Sequence, residues 1–363
     1  MRKKIAGLAR KEVMAIAPYA TPPVTGAKVK LNQNESPFDV PPQLKALLQE
    51  EVARTELNRY PDAASEELRV ELASYAGSEP ENIVVGNGAD ELIYYIALAF
   101  FDRGESVVFP APSFAMYEIA VKLMGCRAKP VLLEKDFSLP ERFFSEARNA
   151  KVVFLCSPNN PTGNSVPNKQ IKEIAAGCRG LVVVDEAYAE FAPQSCLPLV
   201  KKFDNLVVLR TFSKAFSAAG IRVGYAVASE EAAGLLNRVR LPWNVSAFSQ
   251  RAALTLLRHR QLFVKNIERI VRERDRVAQE LTKIRGVRVF PSDANFYLFS
   301  TPASAQKTFT SLWERGILVR DVSTLPLLAK CLRANVGTED ENDEFVDALR
   351  EVAEGESWAI EER

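Results

Sequence analysis

The sequence predicts an α/β protein: a large, mostly parallel sheet with helices on both faces, followed by a smaller α+β unit. Short apolar runs bounded by turn residues recur at 83–85, 106–109, 152–156, 181–184, 206–209 and 223–228. Their shortness and lack of polar alternation suit strands covered on both faces. Helical stretches lie between several of them, as a layered α/β architecture requires. After Trp243 the pattern changes to one long charged helix over 249–283, then strands at 287–290, 296–299 and 332–336 and a closing helix over 340–351.

Residues 1–45 carry Pro18, Pro22, Pro23, Pro37, Pro41 and Pro42, which suit an extended arm with a share in the small unit. From about Gln43 the chain turns to helices and strands, giving a large unit over 46–248 and a linking helix with a small unit over 249–363. Ser65 is the expected cap of a helix over 66–76, Glu66 and Glu67 favour its positive end, and Gly77 stops it.

Composition narrows the function. The 363 residues hold 47 Lys+Arg against 46 Asp+Glu, a formal net charge of +1, which gives no electrostatic case for nucleic acid or an acidic membrane as partner. The 47% hydrophobic and 26% charged content is that of a packed globular protein. Five scattered cysteines without a C-x-x-C pair support neither a disulfide framework nor a zinc site, and the cytoplasm is the expected compartment. With His259 as its one histidine, the chain offers no histidine metal centre and a poor basis for a Ser-His-Asp hydrolase. Arg10 and Lys11 interrupt before a signal peptide develops, and the apolar run 92–101 is too short to span a bilayer.

The chemistry concentrates in a few segments. Lys214 follows a predicted buried strand and sits among small and apolar residues. Such a lysine is ordinarily solvated, but desolvation lowers its pKa and favours Schiff-base formation with a carbonyl. Ser213 and Arg222 flank it with a hydroxyl and a planar guanidinium, groups suited to a phosphate dianion. Asp185, just past the run 181–184, either caps a turn or meets a buried cation such as a pyridinium nitrogen. In the second case Tyr188 would reach the phenolic oxygen of the same ring. The asparagines of 157–163 either stabilise a turn, or Asn160 donates to that oxygen. The stretch 86–91 stands between a strand and a helix, where free N–H groups hold phosphate or simply cap the helix. It lacks the third glycine of a dinucleotide fingerprint and the lysine of a P-loop. His259 reads as a solvated helix residue, Cys156 as a small buried apolar one, and Trp243, Trp313 and Trp358 as packing.

In this order, GNGADE (86–91), PAPSF (110–114), SPNNPTG (157–163), DEAY (185–188) and TFSKAFSAAGIRVGY (211–225) resemble the pyridoxal-phosphate-dependent aminotransferases of the aspartate-aminotransferase fold. The resemblance covers nearly the whole chain. Within that superfamily, LNQNESP (31–37), NRYPD (58–62) and VRD with LRANVGT (319–321, 332–338) are similar to the histidinol-phosphate aminotransferase branch.

The resemblance implies pyridoxal 5'-phosphate as cofactor and no metal. Lys214 would carry it as a Schiff base, and Asp185 would keep its ring nitrogen protonated. Tyr188 and Asn160 would bond the ring oxygen, and Phe114 would stack on the ring. Thr211, Ser213, Arg222 and the backbone at Ala89 and Asp90 would hold the phosphate. Tyr60 would reach the cofactor of a neighbouring subunit, implying a homodimer with shared sites. Arg333 would bind the substrate's carboxylate or phosphate, with Tyr19, Asn34 and Arg320 nearby.

The implied reaction joins histidinol phosphate and 2-oxoglutarate to imidazole-acetol phosphate and glutamate, in histidine biosynthesis. The same framework also serves aromatic amino acid aminotransferases, a lyase like threonine-phosphate decarboxylase, and cofactor-binding regulators. The last is disfavoured by the balanced charge and the absence of room for a DNA-binding domain. Three positions depart from the family pattern. Phe114 replaces a common tyrosine, Ala89 a serine or threonine, and the stretch 322–330 lacks a glycine often present before the substrate arginine.

Overall fold

The computed structural model describes residues 5–18 and 26–354. A 3-10 turn at Ile5–Leu8, α1 (Lys11–Met14), the two-residue strand β1 (Val29–Lys30) and helices α2 (Pro42–Arg54) and α3 (Glu66–Ala76) lead into a seven-stranded sheet. Its elements are β2 (Ile83–Gly86), α4 (Ala89–Phe100), β3 (Ser106–Ala111), α5 (Ala115–Leu123), β4 (Arg127–Leu132), α6 (Glu141–Arg148), β5 (Val152–Cys156), α7 (Asn168–Gly177), β6 (Leu181–Asp185), β7 (Leu206–Thr211), β8 (Gly224–Val227) and α8 (Glu230–Val239). Helices α9 (Ala247–Arg258) and α10 (Val264–Thr282) connect to β9 (Arg288–Val289), β10 (Phe296–Ser300), α11 (Ala305–Glu314), β11 (Ile317–Leu318), β12 (Arg320–Asp321), β13 (Cys331–Asn335) and α12 (Glu339–Glu354).

The large sheet runs β2-β8-β7-β6-β5-β3-β4. Every neighbouring pair is parallel except those made by β8, which is antiparallel to β2 and β7. Alternate residues of each strand enter separate cores: Val153, Val182 and Val208 on one face, Phe154, Val183 and Leu209 on the other. This two-sided burial is what the short apolar runs predicted. A second sheet, β12-β13-β10-β9, is antiparallel, and β1 pairs in parallel with β11. That pairing, with Leu31 fully buried, ties the arm to the C-terminal part of the chain.

The structure corrects three details. Strand β4 escaped prediction because it is an edge strand, largely exposed, with Pro130 and two cationic side chains in its six residues. The single helix expected over 249–283 is two helices, parted by a 3-10 turn at Arg260–Phe263 that sinks Phe263 into the core. No glycine or proline marks that break in the sequence.

The third concerns the start of α3. Ser65 does not cap it with its side chain; the residue is left-handed at φ 50. Asp62 takes over, its carboxylate accepting the N–H of Ala64 at 2.8 Å and of Glu66 at 2.6 Å. Gly77 ends the helix at φ 66 as expected. Asp62→Ala should therefore cost about 1 kcal/mol of stability by urea titration. Ser65→Gly should leave stability unchanged or raise it, since glycine adopts the left-handed backbone without the side-chain penalty. Equal losses in both variants would refute this assignment of the cap.

Candidate active site

Strand order reverses between β3 and β5. From β5 the chain steps through β6 and β7 toward one edge, and from β3 to β4 toward the other. Backbones diverge at such a point and leave a crevice at the carboxyl ends of the strands. A cavity of about 620 Å³ opens there, and Phe114, Asn160, Asp185, Lys214, Arg222 and Arg333 are among the residues that line it.

Asp185 ends β6 and is 4% exposed. Its Oδ2 accepts the phenol of Tyr117 at 2.7 Å and its Oδ1 the N–H of Ala187 at 3.1 Å. Burial pushes the carboxyl up to about 6 from 3.8, and these two donors pull against the rise. Lys214 donates from Nζ to the carbonyl of Gln33 at 3.1 Å and lies 5.8 Å from the centre of the Tyr188 ring. Burial, with the nearby Arg333 guanidinium, lowers its amine to about 8 from 10.5. Tyr188 accepts at Oη from Asn34 Nδ2 at 2.9 Å, and burial pushes its phenol up.

At the other end, α4 begins beside Ser213 and Arg222. Gly88 stands at its N-cap with φ 84, and no side chain caps the first turn. That backbone favours glycine, and a Cβ there would fall 2.5 Å from Arg222 Nη2 and push the guanidinium aside. Thr211 Oγ1 and Ser213 Oγ lie 3.0 Å apart, and Arg222 Nη1 reaches Ser213 Oγ at 3.3 Å. Arg222 also pairs with Asp90 at 3.3 Å, an ion pair about half exposed on both sides and readily exchanged for another anion.

The two asparagines of 157–163 differ in their surroundings. Asn159 is the turn stabiliser, donating to Pro112 O at 3.0 Å and Thr162 Oγ1 at 2.6 Å. Asn160 lines the cavity and accepts from Arg333 Nη1. Arg333 sits mid-strand in β13, with Nη2 donating to Asn32 O at 2.7 Å and its guanidinium 5.3 Å from the Phe296 ring centre. Arg320 of β12 is its direct cross-strand partner. In the stretch 322–330, which lacks a glycine, Leu327 takes the left-handed region at φ 66.

The structure thus gathers around one cavity Asn34, Ala89, Asp90, Phe114, Asn160, Asp185, Tyr188, Thr211, Ser213, Lys214, Arg222, Arg320 and Arg333. It leaves Tyr60 outside, 79% exposed and stacked on Trp243 at 4.5 Å. Trp243, half-exposed, packs against the Tyr60 ring at the surface. Tyr19 lies outside the described residues, as does Trp358. Sequence reasoning missed Tyr117 and the Gln33 carbonyl. Tyr117 had one legible signal, its place one helical turn past Phe114 at the start of α5.

The cavity offers an uncapped helix start, two hydroxyls and an arginine at one end, a buried carboxylate near its floor, and an amine of lowered basicity. An aromatic ring bearing a phosphate and a basic nitrogen fits this set. The family model for class I and II aminotransferases matches residues 27–349. The chain belongs to the class I and II aminotransferases. Pyridoxal phosphate is the general cofactor of this family. The chain is 42% identical over 355 residues to a histidinol-phosphate aminotransferase of Caldanaerobacter subterraneus subsp. tengcongensis, covering 97% of this chain and 98% of that one. It is similar to the crystal structure of the histidinol-phosphate aminotransferase from Sinorhizobium meliloti in complex with pyridoxal-5'-phosphate, with TM-score 0.86 and 26% identity over 94% and 96% of the two chains. A double mutant of the aspartate aminotransferase from Thermus thermophilus shares the fold, with TM-score 0.82 and 24% identity over 95% and 98%. Among the described residues, no helix of this aminotransferase is long and apolar enough to cross a membrane, and no cluster of metal-ligating side chains occurs.

The raised carboxyl of Asp185 has a measurable consequence in cofactor-free protein. Between pH 3.8 and about 6 the folded chain holds a proton that the unfolded chain has released, so stability falls as pH rises through that window. Asp185→Asn removes the titration and should gain on the order of 3 kcal/mol relative to wild type at pH 7, with no such gain at about pH 3.5. Urea titrations at the two pH values check this. A gain that is the same at both would show that Asp185 is not the titrating group.

Proposed function

We propose that this aminotransferase exchanges the amino group between histidinol phosphate and 2-oxoglutarate, giving imidazole-acetol phosphate and glutamate, in a cytoplasmic biosynthetic role. The observation that supports it is the Arg320–Arg333 pair. Like charges placed directly opposite across two strands repel each other. Both arginines line the cavity, where they would offer paired guanidinium charge to an anion such as the phosphate of histidinol phosphate or the carboxylate of glutamate, Arg333 exchanging its bonds to Asn160 and Asn32. We further assign residues 46–248 to cofactor binding, with the arm and 249–363 closing over the substrate.

Pyridoxal phosphate, when bound, supplies an electron sink for the bonds to the substrate's Cα. The first turn of α4, Thr211, Ser213 and Arg222 would hold its phosphate. Asp185 would hold a proton at the ring nitrogen, which an asparagine would not sustain. Tyr188 and Asn160 would bond the ring oxygen, and Phe114 would lie against the ring. Lys214 would be the group that moves the proton at the substrate's Cα; in the cofactor-free protein burial and Arg333 already lower its amine to about 8, which favours the unprotonated form that such a base needs.

A homodimer belongs to the same reading. Leu57, Tyr60 and Leu241 are 83%, 79% and 66% exposed, and Trp243 joins them, an apolar patch of the kind that marks association. Tyr60 would complete the phosphate site of the partner subunit. Sedimentation should give a dimer, and Tyr60→Phe should weaken cofactor binding without dissociating it. A fully active monomer would sink this part of the reading.

The decisive test is a half-reaction without oxo acid. Histidinol phosphate added to cofactor-loaded protein should bleach the cofactor's visible band faster than phenylalanine does, and threonine phosphate should release no carbon dioxide. Preference for phenylalanine would overturn the substrate, and gas release the reaction class. Arg333→Ala and Arg333→Lys should both lower kcat/KM for histidinol phosphate, the former on the order of 10²-fold, since lysine has no planar fork.

A further inference from the structure

On the face of the large sheet opposite Asp185, Arg210 is buried between two carboxylates. Its Nε and Nη2 meet Glu186 Oε2 at 2.9 and 2.7 Å, and its Nη1 donates to Glu190 Oε1 at 2.7 Å. Nη2 also donates to Ser195 Oγ at 2.8 Å. Glu186 is filled on both oxygens: Ser195 Oγ donates to Oε2 at 2.7 Å and the Cys196 N–H to Oε1 at 2.6 Å. Arg210 is 5% exposed and Glu186 2%. Burial raises the Glu190 carboxyl, and Arg210 opposes the rise.

A buried ion cluster is weak evidence for stability, because desolvation offsets its attraction and a neutral replacement often folds as well. Its place in the chain is more telling. Glu186 directly follows Asp185, and Arg210 lies four residues before Lys214. Side chains alternate across a sheet, so Asp185 and Thr211 reach the cavity while Glu186 and Arg210 meet on the reverse face. The Glu186 N–H adds one more bond to Leu209 O at 2.9 Å, beyond the Asp185–Leu209 pair that ends the β6–β7 ladder. The cluster therefore joins four pieces: the end of β6, the turn at Ala189–Phe191, the loop at 195–196, and β7.

We propose that Arg210, with Glu186 and Glu190, is a positioning unit that fixes the spacing between Asp185 and Lys214 and so sets the affinity and orientation of the bound cofactor. The proposal rests on the cofactor reading above. None of the three residues lines the cavity, so each acts through the backbone it anchors.

The test compares cofactor-loaded wild type with the triple variant Glu186→Gln, Glu190→Gln, Arg210→Met, and with Arg210→Lys, which keeps the charge and loses the fork. The triple variant should retain the wild-type melting temperature without cofactor, yet bind pyridoxal phosphate at least about ten-fold more weakly. The induced circular dichroism of the cofactor's visible band should change, and kcat should fall with KM for the amino donor little altered. Wild-type affinity and dichroism in the folded triple variant would overturn the proposal and leave the cofactor reading intact. Should the triple variant fail to fold, Arg210→Lys decides by the same two readouts. A wild-type protein that binds no pyridoxal phosphate overturns the cofactor reading and this proposal with it.

Discussion

A carboxylate buried at the end of a parallel strand is the constraint around which the rest is arranged. Asp185 is almost wholly buried, and Tyr117 and the Ala187 N–H only partly offset the cost of its charge. A cation placed against it completes the balance, and the strand order leaves room for one where β3 and β5 diverge. The same divergence brings the ends of β3 and β5 to the cavity, which Phe114 and Asn160 beyond them line. Sheet topology, core packing and site electrostatics thus meet at one residue.

The arm connects that centre to the second sheet. Consecutive carbonyls of Asn32 and Gln33 accept from Arg333 and Lys214, and the next residue, Asn34, donates to Tyr188. Asn34 sits at φ 54, held there by Asn335 Oδ1 at its N–H and by Asn295 Nδ2 at its carbonyl. Asparagine is among the few residues that tolerate this backbone cheaply. A few arm residues therefore contact Lys214, Tyr188 and Arg333 together, which explains why the segment 31–37 is such an informative stretch of sequence.

The large sheet was legible because its strands are buried on both faces and announce themselves as uninterrupted apolar runs. Edge strand β4 was hidden because exposure lets it carry Arg127, Lys129 and Pro130. The break between α9 and α10 was hidden because it is imposed by burying Phe263, a tertiary demand with no local signal. In the site, residues that belong to short fixed motifs, among them Lys214, Asp185, Tyr188 and Arg222, could be grouped from sequence, and the structure has them lining one cavity. Tyr117 could not be assigned, since its hydrogen bond to Asp185 spans 68 positions and depends on how α5 packs beside β6. Nor could the role of Gln33, which acts through its carbonyl and leaves no mark on side-chain identity.

The two sheets divide the work. Asp185, Thr211, Ser213 and Lys214 sit on or just beyond β6 and β7, in the middle of a sheet packed on both faces, where backbone shifts disturb two cores at once. Arg320 and Arg333 come from the smaller antiparallel sheet, next to a loop that accepts Leu327 in a left-handed backbone. Groups that handle the proton need fixed geometry whatever the substrate. On the proposed reading, groups that grip the substrate's anion would receive two different molecules in alternate half-reactions. Two arginines placed opposite each other across β12 and β13 would meet that second need without any change in the first. A different amino donor can therefore be accommodated by altering β12, β13 and the loop between them while the frame around Asp185 and Lys214 stays as it is.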